Sequence, residues 1–336
     1  MADRTPVITI VGAESLLGRE LTDVLGSKNL PADVKLVSAE QEDSGAGIMT
    51  EREGEAVFMS SLRAGELSGS RIILLAGTAD SSLKVAESVR NEPSPPTLID
   101  LTGALEDQAS ARLRAPVVEQ APPPAAPIYV IAHPAAIALT LFLNQLAKAA
   151  AIQRVIADIF EPVSERGKRG LDELQQQTVS LLSFQKLHQD VFDTQVSFNM
   201  LPSYGAGAVK SLADVELTIE RHMATLLASG TAAPLPSLRV IHAPVFHAYS
   251  FSLWVAFDRR PDADDLAGAL ATAQIEVRGK DEEPPSNVGA AGQSGITVGS
   301  ITPDRNDPRA CWFWMVADNL RIAADNAVEV ARELLG

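Results

Sequence analysis

The 336-residue chain has a single cysteine, Cys311, which excludes an intrachain disulfide and a cysteine-rich metal site. Basic residues are scarce. Against 43 Asp and Glu there are 28 Lys and Arg, and the resulting formal charge of -15 repels a phosphate backbone, so nucleic acid is not expected as a partner. Long apolar runs are missing too. The stretch Ala132 to Leu143 is broken by polar residues and proline and falls short of the ~20 residues that cross a bilayer, so no membrane span is expected. The opening Met1-Ala2-Asp3-Arg4-Thr5-Pro6 runs straight into Val7 without a basic segment and an apolar export core. A cytoplasmic location is the expectation. Aromatic residues are only 5% of the chain, which neither supports nor excludes a large subunit interface.

Hydrophobic residues, at 46%, are plentiful enough to build a sizeable core, and the length favours two domains over one. Val7 to Val11 is a short β-branched run bounded by Pro6 and Gly12 and reads as a buried strand, followed by a helical pattern from Leu16 to Leu25. Further β-rich runs lie at Val34 to Val37, Ile72 to Leu75, Thr97 to Leu101 and Tyr129 to Ile131, with the helix-like Ser81 to Arg90 among them. That alternation predicts an α/β, Rossmann-like parallel sheet. The proline-rich Ala115 to Pro127 is expected to be an extended connection.

After Pro134 the pattern changes. Helices are predicted at Ala135 to Ala150, Gly170 to Gln185, Ser211 to Leu227 and from about Asp318 to Leu335. Strands are predicted at Val155 to Phe160, Leu238 to Pro244, Ser250 to Phe257, Ile296 to Ile301 and Cys311 to Ala317. This half reads as α+β with a mixed sheet. The expected division is 1–133 with 317–336 for the nucleotide-type domain and 134–316 for the second. Gly279 to Gly295, without apolar periodicity, is expected to be a mobile surface loop.

The turn Gly12-Ala13-Glu14-Ser15-Leu16-Leu17-Gly18 follows the first strand and opens a helix, the setting in which backbone N–H groups and the helix dipole receive a pyrophosphate. A bare βα turn has the same form. Past the second strand, Ser38-Ala39-Glu40-Gln41-Glu42-Asp43 holds three carboxylates where an NADP site would want arginine. These could accept the ribose hydroxyls of NAD, or they are a solvated loop.

Several segments together resemble the aspartate-semialdehyde dehydrogenase family over nearly the whole chain. They are Val11-Gly12-Ala13, Gly167-Lys168-Arg169-Gly170-Leu171-Asp172-Glu173-Leu174, Phe198-Asn199-Met200-Leu201-Pro202, Pro244-Val245-Phe246 and Val316-Ala317-Asp318-Asn319-Leu320-Arg321. The resemblance implies a homodimer with a dinucleotide-binding domain and an NADP-dependent reaction through a cysteine thiohemiacetal. It also assigns Ser38, Gly77 and Asn319, with residues 12–18, to a cofactor, NAD or NADP.

At the chemical positions the chain departs from that pattern. In Ala132-His133-Pro134-Ala135-Ala136 the nucleophile's place falls on Ala136, which cannot attack an aldehyde. Tyr249 stands where the family has its histidine, His242 where it has a substrate-binding arginine, and Glu161 where it has glutamine. The phosphate-binding arginine expected near Leu105 or Glu106 is absent.

Besides a purely structural partner of a biosynthetic complex with the Gly12 turn empty, two functional readings follow. One is a family member without the dehydrogenase reaction, still dimerising and still able to take a nucleotide or another small-molecule ligand. The other is an oxidoreductase using NAD or NADP on a different small carbonyl substrate by a non-thiol mechanism. For the latter, His247 and Tyr249 would share a strand face, with His242 on the opposite one unless a bulge intervenes. Cys311 reads as a buried structural thiol. No metal is expected, histidines such as His133, His242 and His247 being more often hydrogen-bonded structural groups. The run Glu165-Arg166-Gly167-Lys168-Arg169 borders the site in the family and otherwise reads as a solvated turn.

Overall fold

The computed structural model describes residues 5–39, 48–52, 55–228 and 233–336. Glu40, Gln41, Glu42 and Asp43 lie outside the described residues. The chain divides into two compact units, Met1–Ala132 with Ala323–Gly336, and His133–Ile322.

The first unit runs β1 (Val7–Val11), α1 (Leu16–Lys28), β2 (Asp33–Ser38), β3 (Ile48–Arg52), β4 (Glu55–Ser61), α2 (Ala64–Leu67), β5 (Ile72–Leu75), α3 (Ala79–Val89), β6 (Thr97–Asp100), β7 (Ala111–Arg114) and β8 (Ile128–Ile131). Its strands lie in the order β3-β4-β2-β1-β5-β6-β8-β7. All neighbours are parallel except the hairpin pair β3 and β4. The α/β expectation is met, and the apolar runs of β1, β5 and β8 are buried as continuous strands, as a sheet covered on both faces requires. The Ala115 to Pro127 connection is not extended at its start. It turns at once, with the amides of Val118 and Glu119 donating to Ala115 O. The turn brings Glu119 to the buried guanidinium of Arg114 at 2.9 Å.

The second unit contains α4 (Pro134–Ala149), β9 (Ile152–Glu161), α5 (Gly167–Leu182), α6 (Leu212–Leu227), β10 (Ser237–His242), β11 (Tyr249–Phe257), α7 (Ala263–Leu270), β12 (Ile275–Val277), α8 (Asn287–Ala290), β13 (Ile296–Pro303) and β14 (Ala310–Ala317). It also holds the start of α9 (Asn319–Leu335). Its sheet has the order β10-β9-β11-β14-β13-β12 and is mixed: β10 with β9 and β12 with β13 are parallel, and the other pairs antiparallel. α4 is nearly all apolar because it lies inside the unit, with Phe142 edge-on to Phe313 of β14 at 5.1 Å.

The strands of this sheet alternate between a buried and a more open face. Glu161, Tyr249, Phe251 and Phe313 are on the buried face. Ile156, Trp254, Trp312 and Trp314 are on the other, so all three tryptophans of the chain share one sheet face.

Gly279 to Gly295 is pinned rather than free. It contains α8, Asn287 bonds to Ser250 and to the carbonyls of His247 and Ala248, and Pro285 O accepts from Trp314 Nε1 at 3.1 Å. Polar anchors hold it, and these leave no apolar period in the sequence.

Candidate functional site

In the first unit, β1 ends at Gly12 with φ +85°, a conformation that disfavours any side chain, and the chain then enters α1 through the N-cap Ser15. A Cβ on Gly12 would meet Gly77 N at 2.3 Å, and one on Gly18 would meet Gly12 O at 2.1 Å. The two glycines therefore let the ends of β1 and β5 and the start of α1 close on one another. Gly77 is brought to the turn, and a Cβ there would strike Ala39 Cβ at 2.6 Å. Ser38 ends β2 and is buried. The amides of Gly12 and Ala13 donate to Val37 O, Ser15 N to Gly12 O, and Gly18 N to Ser15 Oγ. Leu16 and Leu17, in the first helical turn, are left as the amides suited to an anion.

In the second unit the registers of three strands place His242 of β10 beside Glu161 of β9, and Tyr249 of β11 on the far side of the same residue. His242 and Tyr249 thus share a face, whereas an uninterrupted strand would have set them on opposite ones. They belong to different strands, so alternation along one strand does not relate them. His247 is the residue that leaves the row. It precedes Ala248, whose φ of +67° breaks the strand before Tyr249.

Glu161, His242 and Tyr249 are each fully buried. Arg166 donates to Glu161 Oε1 at 2.8 Å, Tyr204 Oη lies 3.1 Å from the same oxygen, and Tyr249 Oη is 3.4 Å from Oε2. Tyr204 Oη is also 3.1 Å from His242 Nδ1, while His242 Nε2 faces Val196 O at 3.3 Å. A carbonyl only accepts, so the Nε2 position carries the proton and Nδ1 is the acceptor. The one hydroxyl proton of Tyr204 therefore stands between two acceptors. Burial, then the neighbouring Glu161, raises the Tyr204 hydroxyl, and burial, then Glu165 and Glu161, raises that of Tyr249. Both are donors here. Burial pushes His242 down to about 4, which favours its neutral ring.

A second group adjoins through Glu165. Its carboxyl is pushed up to about 7, first by burial and then by Glu161. Asn319 donates to it at 2.9 Å while accepting from Ser164 Oγ at 3.1 Å and Ala248 N at 3.2 Å, so the Asn319 amide is committed within this unit. His133 caps α4 by accepting from Ala135 N, which leaves its Nε2 toward Glu165 at 3.8 Å. Burial drives His133 well below its ordinary range. Ala136, in the first turn of α4, is wholly buried. Cys311 is also buried, six strand positions from Tyr249 by the pairing of β11 with β14, roughly 20 Å along the sheet.

Sequence reading missed Tyr204 altogether and left the charged run at 165–169 undivided. Lys168 and Arg169 are exposed, whereas Glu165 and Arg166 turn inward. The signal available was a buried-type strand ending in Glu161 with an arginine five residues on. Among the described residues no group of three His, Cys, Asp or Glu is arranged to hold a metal ion.

The family described as semialdehyde dehydrogenase, dimerisation domain, matches residues 143–322. A USG-1 protein homolog of Pseudomonas aeruginosa is 30% identical, covering 98% of this chain and 97% of that protein. An aspartate-semialdehyde dehydrogenase of Rickettsia bellii is 30% identical over 61% of this chain and 62% of its own length. The chain belongs to the aspartate-semialdehyde dehydrogenase family. The solved structure of a probable aspartate-semialdehyde dehydrogenase from Pseudomonas aeruginosa superposes with a TM-score of 0.81 at 27% identity, covering 99% of each chain. The family's Candida albicans enzyme, solved with NADP, shares the fold at a TM-score of 0.67 and 15% identity, covering 98% of each chain.

Proposed function

We propose that this chain is a family member that does not carry out the phosphorylating dehydrogenation and acts as a homodimer that still takes a dinucleotide, NAD or NADP, in its first unit. The observation that carries this reading is Ala136. The position that the family resemblance gives to the nucleophile is a buried methyl group at the start of α4, and covalent capture of an aldehyde needs a thiolate. Glu161, His242 and Tyr249, at the other chemical positions, use their polar atoms on one another and on Tyr204 and Arg166. Glu161 thereby supplies internally the carboxylate that Arg166 binds.

Support for a homodimer comes from the family's dimerisation domain and from the sheet face that gathers Ile156, Trp254, Trp312 and Trp314. Gly12, Ala13, Glu14, Ser15, Leu16, Leu17, Gly18, Ser38 and Gly77 are the residues we assign to the dinucleotide. Asn319 instead serves to hold Glu165. A cytoplasmic home fits the single buried thiol. Among the described residues, no helix is long and apolar enough to cross a membrane.

The alternative, an oxidoreductase acting on a different small carbonyl without a thiol, finds support in the Tyr204 to His242 contact, which could pass a proton. It is the weaker reading because both tyrosine hydroxyls already serve Glu161. The deciding experiment assays phosphate-dependent oxidation of aspartate semialdehyde at high protein concentration, beside calorimetric titration with NAD and NADP. Binding without turnover is expected. Turnover above a no-protein control, abolished by a substitution at Glu161 or Tyr249, would overturn the proposal.

A further inference from the structure

From the glycine-rich turn the side chain of Glu14 reaches across to the C-terminal end of β2. Its Oε1 accepts the Ala39 amide at 2.9 Å. Its Oε2 is buried with no hydrogen-bond donor. In a doubly wound sheet this strand end is where the adenosine ribose of a dinucleotide is read: a carboxylate accepts a free 2′-hydroxyl, whereas a 2′-phosphate needs a cation or spare amides. Here the Ala39 amide is already given to an anion, and the Gly12 and Ala13 amides are given to Val37 O. Among the described residues a 2′-phosphate would meet the like charge of Glu14 and backbone amides already given. A 2′-hydroxyl would bring the donor that Oε2 lacks.

We propose that Glu14 selects the dinucleotide of this protein, admitting NAD and rejecting NADP, with its carboxylate delivered to the ribose position from the turn rather than from β2 itself. The inference rests on the reading that the first unit binds a dinucleotide. It sets this chain apart from the NADP dependence that the family resemblance implies, through one residue of the glycine-rich turn.

Calorimetric titration of the full chain with NAD and with NADP tests it, in the wild type and in Glu14→Gln, which keeps the size and an oxygen for the Ala39 amide but loses the charge. The wild type is expected to bind NAD at least about tenfold more tightly than NADP, the scale on which a like-charge contact discriminates, and Glu14→Gln to bring the two within about threefold. A wild-type preference for NADP, or an unchanged ratio in the variant, overturns the role of Glu14 and leaves dinucleotide binding standing. Failure of the wild type and of Glu14→Ala to bind either nucleotide overturns the dinucleotide reading and this inference with it. The wild-type preference between AMP and adenosine 2′,5′-bisphosphate gives the same test without a variant, AMP being expected to bind more tightly.

Discussion

Glu161 and His242 are in-register neighbours on parallel strands, and the hydroxyl of Tyr204 stands 3.1 Å from an oxygen of the first and 3.1 Å from a nitrogen of the second. Two side chains placed by sheet register are thus joined through a residue from an irregular segment between α5 and α6. Arg166 supplies the charge that lets this buried cluster hold a carboxylate.

Removing that charge should be costly. Arg166→Met leaves Glu161 buried without its ion-pair partner, and a loss of about 3 to 5 kcal/mol is expected by urea denaturation. The double variant Arg166→Met with Glu161→Gln should recover much of it, since neither charge then remains. A single variant as stable as the wild type would mean that the pair does not hold the cluster together.

Stability should depend on pH in a way that separates Glu165 from His242. Glu165, raised from 4.5 to about 7 by burial and by Glu161, holds its proton more tightly folded than unfolded. Its contribution is complete below about 4.5 and is lost as pH rises through about 7. His242, lowered from 6.5 to about 4 by burial, acts in the opposite sense, its contribution being complete above 6.5 and lost as pH falls through about 4. Glu165→Gln should therefore gain on the wild type between pH 5 and 8, by about 1 to 3 kcal/mol. A difference between the two proteins that stays constant across that range would contradict the raised carboxyl.

On the proposed reading, a thiol placed at Ala136 should not by itself confer the family's dehydrogenation. In Ala136→Cys the sulfur enters a fully buried position, where desolvation raises a thiol and keeps it inert, and Glu161 still engages Arg166. Assay with aspartate semialdehyde is expected to show no turnover above the parent protein, and titration with a thiol reagent in the native state should find little reactivity. Turnover from this one change would show an open site.

The tryptophan face of the second sheet should be where two copies meet. Trp254 and Trp312 both donate to Asp304 Oδ2, at 3.0 and 2.7 Å, a shared carboxylate that fixes both indoles. Trp312→Asp places a charge among them and is expected to weaken self-association by at least about tenfold, read by sedimentation velocity across a dilution series. A variant that sediments like the wild type at every concentration would place the interface elsewhere.

Local chemistry determined a good deal of this protein. The β-branched Val7 to Val11 run, the Ser15 cap, and the period of α4 name their elements because each signal acts within a few residues. Ala136 was legible as the residue that the resemblance puts at the nucleophile position, because Pro134 and His133 fix its register there. The union of Glu161, His242, Tyr204 and Tyr249 was not legible. It depends on the register of β10, β9 and β11 and on an irregular segment with no period, and hydrogen bonds across a sheet relate residues by strand pairing rather than by spacing. For the same reason Glu14 reads as one polar residue of a glycine-rich turn until β2 is folded beside β1. Only then does the Ala39 amide meet its carboxylate, since a partner that distant in sequence is chosen by tertiary packing alone.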